Sequence, residues 1–200
     1  MISKIFQELK EHSPFTALAT ALAILIVVFI YYFLDIMVSE EVFHLFHFAH
    51  IIVSAMVTAG IFYKYKVNFI SAILVGLTGA IIIGTLSDVL FPYFAGKLLG
   101  LEIHFHLPLV EESLFVISFA LLGAFIGTMT RITKSPHFIH VFLSVFASLF
   151  YILAFSPAFV FGYFMVAFFI VFVAVIIPCC LSDIVFPLLF VNSKNIDNTN

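Results

Sequence analysis

Between Val67 and Pro92 the chain reads VNFISAILVGLTGAIIIGTLSDVLFP, and two features of this stretch decide the fold. First, nothing from Val67 to Phe91 is charged except Asp88. A run of about 20 apolar residues is long enough for a helix to cross a bilayer. Ala72, Gly76, Ala80, Gly84 and Asp88 recur every fourth residue, so a helix carries them on one face. Small residues in that pattern let backbones approach closely in lipid. A carboxylate at the end of the stripe points to function. Second, the closing phrase L-S-D-x-x-F-P, Leu86 to Pro92, returns as Leu181 to Pro187, with Asp183 following Asp88 by 95 positions.

The whole chain matches this stretch in character. Of 200 residues 64% are hydrophobic and 10% charged, with a mean hydropathy of +1.26. A soluble domain of this size cannot hide so much apolar surface, so the sequence predicts an all-α integral membrane protein with the lipid bilayer as its solvent. The 28 Phe are expected to face lipid, and with no Trp the interfacial aromatic anchors fall to Tyr. A net charge of −3 argues against a nucleic-acid partner. Cys179 and Cys180 are adjacent, which suits packing better than a structural disulfide.

Six transmembrane helices are expected: Pro14–Val38, Val42–Tyr63, Val67–Phe91, Glu112–Thr130, His137–Phe155 and Ala158–Phe186. Ser13-Pro14 and Ser135-Pro136 read as caps followed by first-turn prolines, Pro157 separates the last two spans, and Pro178 kinks the sixth. The first run is too long for a signal-peptide core. With six spans, Lys4, Lys10, Lys64, Lys66, Arg131, Lys134 and Lys194 fall on one side and only Lys97 on the other. The positive-inside rule then puts both termini in the cytoplasm of a cell-membrane protein.

Two further phrase matches join the L-S-D pair. His47-Phe-x-His50-x-x-x-Ser54 returns 90 positions later as His137-Phe-x-His140-x-x-x-Ser144, and Glu11-x-Ser13-x-Phe15 has a counterpart in Glu111-x-Ser113-x-Phe115. Matches in the same order indicate a duplicated unit of three helices, residues 11–92 and 111–187. An external loop, 93–110, joins the units, and a disordered cytoplasmic tail, 188–200, follows them. An odd number of spans makes the second unit enter from the opposite side, a 3+3 inverted repeat.

That arrangement puts His47, His50, Asp88 and Glu111 near the outer face, and Glu11, His137, His140 and Asp183 in a second, inner pseudo-symmetric site. Imidazoles three apart on a helix can reach one ion, and imidazole with carboxylate suits zinc, iron or manganese. The outer set is the richer, adding His44 one turn before His47, Glu40 and Glu41 ahead of it, and His104, His106 and Glu112 from the loop. Asp35 is a further acidic candidate, whereas His12 and Glu102 read as solvated. Ser54 and Ser144 are expected to bond to their own helix backbones. A haem between two histidines is the less favoured alternative, given the concentration of carboxylates.

His44-x-x-His47-Phe-Ala-His50, followed by Asp88-Val-Leu-Phe-Pro92, resembles the YdjM-like membrane-bound metal-dependent hydrolases. That family carries an H-R-G-x-T-H-S phrase ahead of an apolar span and an Asp shortly before a Thr-Pro. The resemblance implies a metal held by His44 or His47, by His50 and by Asp88. Three functions follow from the residues and the resemblance together. The chain is a small transporter or channel for a divalent metal or metal-linked substrate, a membrane-embedded metalloenzyme, or a metal-binding accessory subunit. No phosphate-binding loop and no G-x-S-x-G elbow is present, against an ATP-driven pump or a serine hydrolase.

Overall fold

The structure is a computed structural model that describes residues 2–33, 38–131, 134–156, 164–180 and 186–191. Among these residues it is all helical. The first elements in chain order are α1 (Ile2–Phe33), α2 (Glu40–Tyr65), α3 (Phe69–Thr85), a short π-helical segment (Leu86–Leu90) and the short α4 (Phe91–Leu98). Two more short and three more longer helices follow: α5 (Pro108–Glu111), α6 (Ser113–Thr130), α7 (Lys134–Phe155), α8 (Phe164–Cys180) and α9 (Phe186–Leu188). Among the described residues four stretches are long and apolar enough to cross a membrane: Ser13–Ile30, Glu40–Tyr65, Phe69–Leu98 and Ser113–Thr130. The apolar parts of α7 and α8 within the described residues, Ile139–Phe155 and Met165–Pro178, are shorter.

Local chemistry accounts for the ends. Glu40 and Glu41 occupy the first turn of α2 and Lys64 its last, each sign where the helix dipole favours it. The Asn68 side chain caps α3 by accepting from the Ser71 amide at 2.9 Å. Arg131, with φ at 56°, closes α6 through its amide to the Gly127 carbonyl.

α2 is the axis of the bundle. On one side α6 lies parallel to it, with Gly123 against the Ile52 carbonyl and Gly127 against that of Met56. A Cβ at either glycine would collide with backbone, so only glycine admits this approach. α3 runs antiparallel on the same side, Gly76 meeting Ala59 and Gly84 meeting Ile51. The predicted small-residue stripe thus packs on α2. On the other side α7 crosses antiparallel through Phe43 on Tyr151 and Phe46 on Phe150. α1 and α8 complete the core behind α7 through Ala19, Ala23, Val27, Val171 and Val175.

The outward faces are apolar. α1 exposes Leu18, Leu22, Leu25, Phe29 and Phe33, and α8 exposes Met165, Phe169, Val173 and Ile177, while Thr16, Thr20, Ser144 and Ser148 are buried. This is the inverse of a water-soluble surface, and it is the pattern lipid requires.

Two boundaries differ from the sequence expectation. α1 does not begin at Pro14 but runs through it from Ile2. The third long helix does not stop at Phe91 either, since Pro92 lies at the start of α4 and the helix continues to Leu98. Proline removes the amide that would bond to the carbonyl four residues back, here that of Asp88. The π segment just upstream absorbs the break, the Phe91 amide reaching back five residues to the Leu86 carbonyl. The connecting loop is therefore Leu99–Leu107, shorter than expected. Asp35, Pro157, Asp183 and the 192–200 tail lie outside the described residues.

Candidate ion site in the helix bundle

The π segment delivers Asp88 to the centre of the bundle, where it is fully buried. One carboxylate oxygen, Oδ2, lies 2.8 Å from His47 Nδ1 and 2.7 Å from His50 Nδ1. The other, Oδ1, accepts from the Ser87 hydroxyl at 2.7 Å and from Ser144 of α7 at 2.9 Å. Ser148, one turn further along α7, donates to the Ser87 carbonyl at 2.9 Å. Four donors thus meet one carboxylate, which is how an anion survives in such a place. The charge-assisted bonds also fix chemistry. Both Nδ1 atoms must carry a proton to donate, so Nε2 is the nitrogen of each ring that takes a further proton or a metal ion.

The rings are held on their faces too. Phe43 stacks on His47 with centroids 5.4 Å apart, and His140 of α7 stacks on His50 at 5.1 Å with planes 6° from parallel. His140, expected in an inner site, therefore adjoins the Asp88 cluster. The side chains of Glu11 and His137, like Asp183, lie outside the described residues.

A second cluster forms where the loop folds over the start of α2. His44 Nε2 and His106 Nε2 are 2.7 Å apart. On their far sides, His44 Nδ1 lies 3.4 Å from Glu112 and His106 Nδ1 lies 3.0 Å from Glu111. The loop is pinned by the His104 amide to the Phe155 carbonyl, and by Tyr151, whose hydroxyl accepts from the His106 amide and donates to its carbonyl. His106 also stacks on Phe155 at 4.7 Å. The Leu107 amide holds the Glu111 carboxyl below its ordinary value, opposed by burial and aided by His106.

The predicted outer set is therefore split in two. His47, His50 and Asp88 come together, and His44, His106, Glu111 and Glu112 come together one helical turn away, with the Phe43 ring against both His47 and His106. The His104 and Glu102 side chains are exposed and join neither. Among the described residues no group of three or more His, Cys, Asp and Glu side chains is arranged to hold a metal. The distances give the reason: Asp88 Oδ2 already occupies the space between two Nδ1 atoms at hydrogen-bond range. Both Nδ1 atoms are thus engaged, and Asp88 stands to the two rings as an orienting carboxylate does.

Sequence reasoning missed the hydroxyls. Ser144 serves Asp88, not its own backbone, and Ser54, fully buried, has no hydrogen-bond partner among the described residues. The signal was present, since both H-F-x-H phrases carry a Ser four residues after the second His. No protein-family model, curated protein or solved structure matches the chain.

Proposed function

We propose that the chain is a small integral membrane transporter that moves a divalent transition-metal ion through the helix bundle. The observation that carries this reading is Asp88: a carboxylate with no exposure, holding two imidazoles by Nδ1, inside helices whose outer faces are bare hydrocarbon. Ionisable groups at such depth are costly, and they mark ion paths by default. His44, His47 and His50 lie at three-residue intervals on α2, and His106 and His140 extend the file at either end. The resemblance to metal-dependent hydrolases draws on the same residues. A hydrolase needs an activated water open to its substrate, and the near-total burial of His47, His50 and Asp88 favours passage of a small ion instead.

Six spans, a 3+3 inverted repeat and cytoplasmic termini belong to this reading. Two observations support them. His50 and His140, 90 positions apart, stack almost parallel between antiparallel helices, as equivalent residues on a pseudo-two-fold axis do. Lys64, Lys66 and Arg131 gather with Tyr63 and Tyr65 at one end of the bundle, the guanidinium 4.9 Å from the Tyr63 ring. Lys97 lies at the other end, over Tyr93.

Purified protein in liposomes loaded with a metal-sensing dye tests the function. Zn²⁺, Mn²⁺ or Fe²⁺ added outside should enter faster than into protein-free vesicles. Asp88→Asn should lower the rate by about 10- to 100-fold, the usual effect of losing an orienting carboxylate. Equal entry with and without the substitution, or none above empty vesicles, would overturn the reading.

A further inference from the structure

We propose that His44 and His106 form a separate capture site for a divalent transition-metal ion at the mouth of the bundle, with Glu112 and Glu111 acting from behind the rings and not as ligands. The inference deepens the transport reading by naming an entry site, and it rests on that reading only for the purpose of the site.

Each Nδ1 faces a carboxylate, at 3.4 Å for His44 and 3.0 Å for His106, and a carboxylate there draws the proton of a neutral ring to that side. The Nε2 atoms, the nitrogens left to a further ligand, lie 2.7 Å apart. At that distance they are joined by a hydrogen that one ring donates and the other accepts, or by an ion that takes its place.

Charge decides for the metal. Two carboxylates back the pair, so one shared proton leaves the cluster net negative, whereas a divalent ion with two neutral imidazoles closes it to zero. Glu40 and Glu41, exposed on the first turn of α2, add further negative charge nearby. Geometry agrees. At a zinc–nitrogen distance of 2.0–2.1 Å, a tetrahedral ion separates its two nitrogens by about 3.3 Å, so the rings need to part by only about 0.6 Å. A carboxylate on the Nδ1–H of each ligating imidazole is the usual outer partner of a bound metal.

The site is also built and reachable. His106 lies against Phe155, and Tyr151 holds its backbone. His44 is stacked on Phe48 at 5.7 Å. Their side chains stay 15% and 11% exposed, against 1% and 0% for His47 and His50, so an ion reaches this pair first. Two protein nitrogens leave open positions for water, as capture and release require. Imidazole selects zinc or copper over magnesium or calcium.

The test uses full-length, metal-stripped protein in detergent. Zn²⁺ titration by calorimetry should show a binding event that disappears in His44→Ala and in His106→Ala. It should persist in His104→Ala, on the same loop but outside the cluster, and weaken by about 10- to 100-fold in Glu111→Gln and Glu112→Gln. Cu²⁺ bound to wild-type protein should give a paramagnetic-resonance spectrum with imidazole nitrogen couplings. His44→Gln, which keeps bulk and polarity, should lose them, so a folding failure in the alanine variants does not decide the matter. Zn²⁺ affinity unchanged in folded His44→Gln, or a Cu²⁺ spectrum without nitrogen couplings, would overturn the site. So would a pair that binds only a proton at millimolar Zn²⁺. Binding here without ion entry into liposomes would remove the transport reading alone. Entry undiminished in the His44→Gln/His106→Gln variant would remove the capture site alone.

Discussion

At the scale of residues, the molecule depends on one carboxylate answering four donors. Asp88→Asn keeps the shape but replaces one acceptor oxygen with a donor, which then faces either two imidazole N–H groups or two hydroxyls. Hydrogen bonds to a charged group contribute about 1.5–3 kcal/mol each, and stranded buried donors cost about 1–3 kcal/mol. Thermal unfolding in detergent should therefore show Asp88→Asn losing about 3 kcal/mol or more, with Ser144→Ala losing about 1.5–3 kcal/mol. Equal melting temperatures for both variants and the wild type would mean that the network carries no stability. His47, His50 and Asp88 were legible in the sequence because the phrases holding them repeat. Ser144 and Ser148 were not, because a hydroxyl in an apolar helix satisfies itself on its own backbone unless an acceptor from another helix intervenes. Which helix that is depends on packing, which one strand of sequence does not carry.

At the scale of elements, α2 and α6 touch backbone to backbone. The Gly127 position faces the Met56 carbonyl so closely that no side chain fits, and backbone cannot swing aside as a flexible side chain can. Gly127→Ala should then push α6 away from α2 and cost about 1–3 kcal/mol, the range for overpacking. A glycine-to-alanine change in an open helix is instead stabilising by up to about 1 kcal/mol, so the sign of the shift in detergent melting tests the close approach. These crossings were readable as small residues spaced by four. The length of the third long helix was not. Pro92 is a stop signal in most contexts, and only the π turn formed by Leu86–Leu90 lets the helix pass it. That same turn aims Asp88 inward, so the misread boundary coincides with the site.

At the scale of the whole molecule, orientation and duplication make separable demands. Single cysteines at positions 66 and 97, in a background without Cys179 and Cys180, should react with an impermeant thiol reagent from opposite sides, 97 from outside the cell. Labelling of both from one side would overturn the six-span reading. Duplication is tested by a sign. Ser144 and Ser148 bond to Asp88 and to the Ser87 carbonyl, and their counterparts 90 positions earlier are Ser54 and Thr58. Both counterparts are fully buried, and neither hydroxyl has a hydrogen-bond partner among the described residues, which do not include Asp183. A buried hydroxyl with nothing to bond carries a penalty, so removing it is neutral or stabilising. In a duplicated unit, by contrast, Ser54 is a working donor as Ser144 is, and losing it strands an acceptor. The inverted repeat therefore expects Ser54→Ala to lower the melting temperature in detergent about as much as Ser144→Ala, by the equivalent of about 1.5–3 kcal/mol. Thr58→Ser, which keeps the hydroxyl, should cost less than Thr58→Ala. A Ser54→Ala protein that melts at or above the wild-type temperature would show two halves that share phrases without sharing a site, and would overturn the proposed pseudo-two-fold axis through His50 and His140.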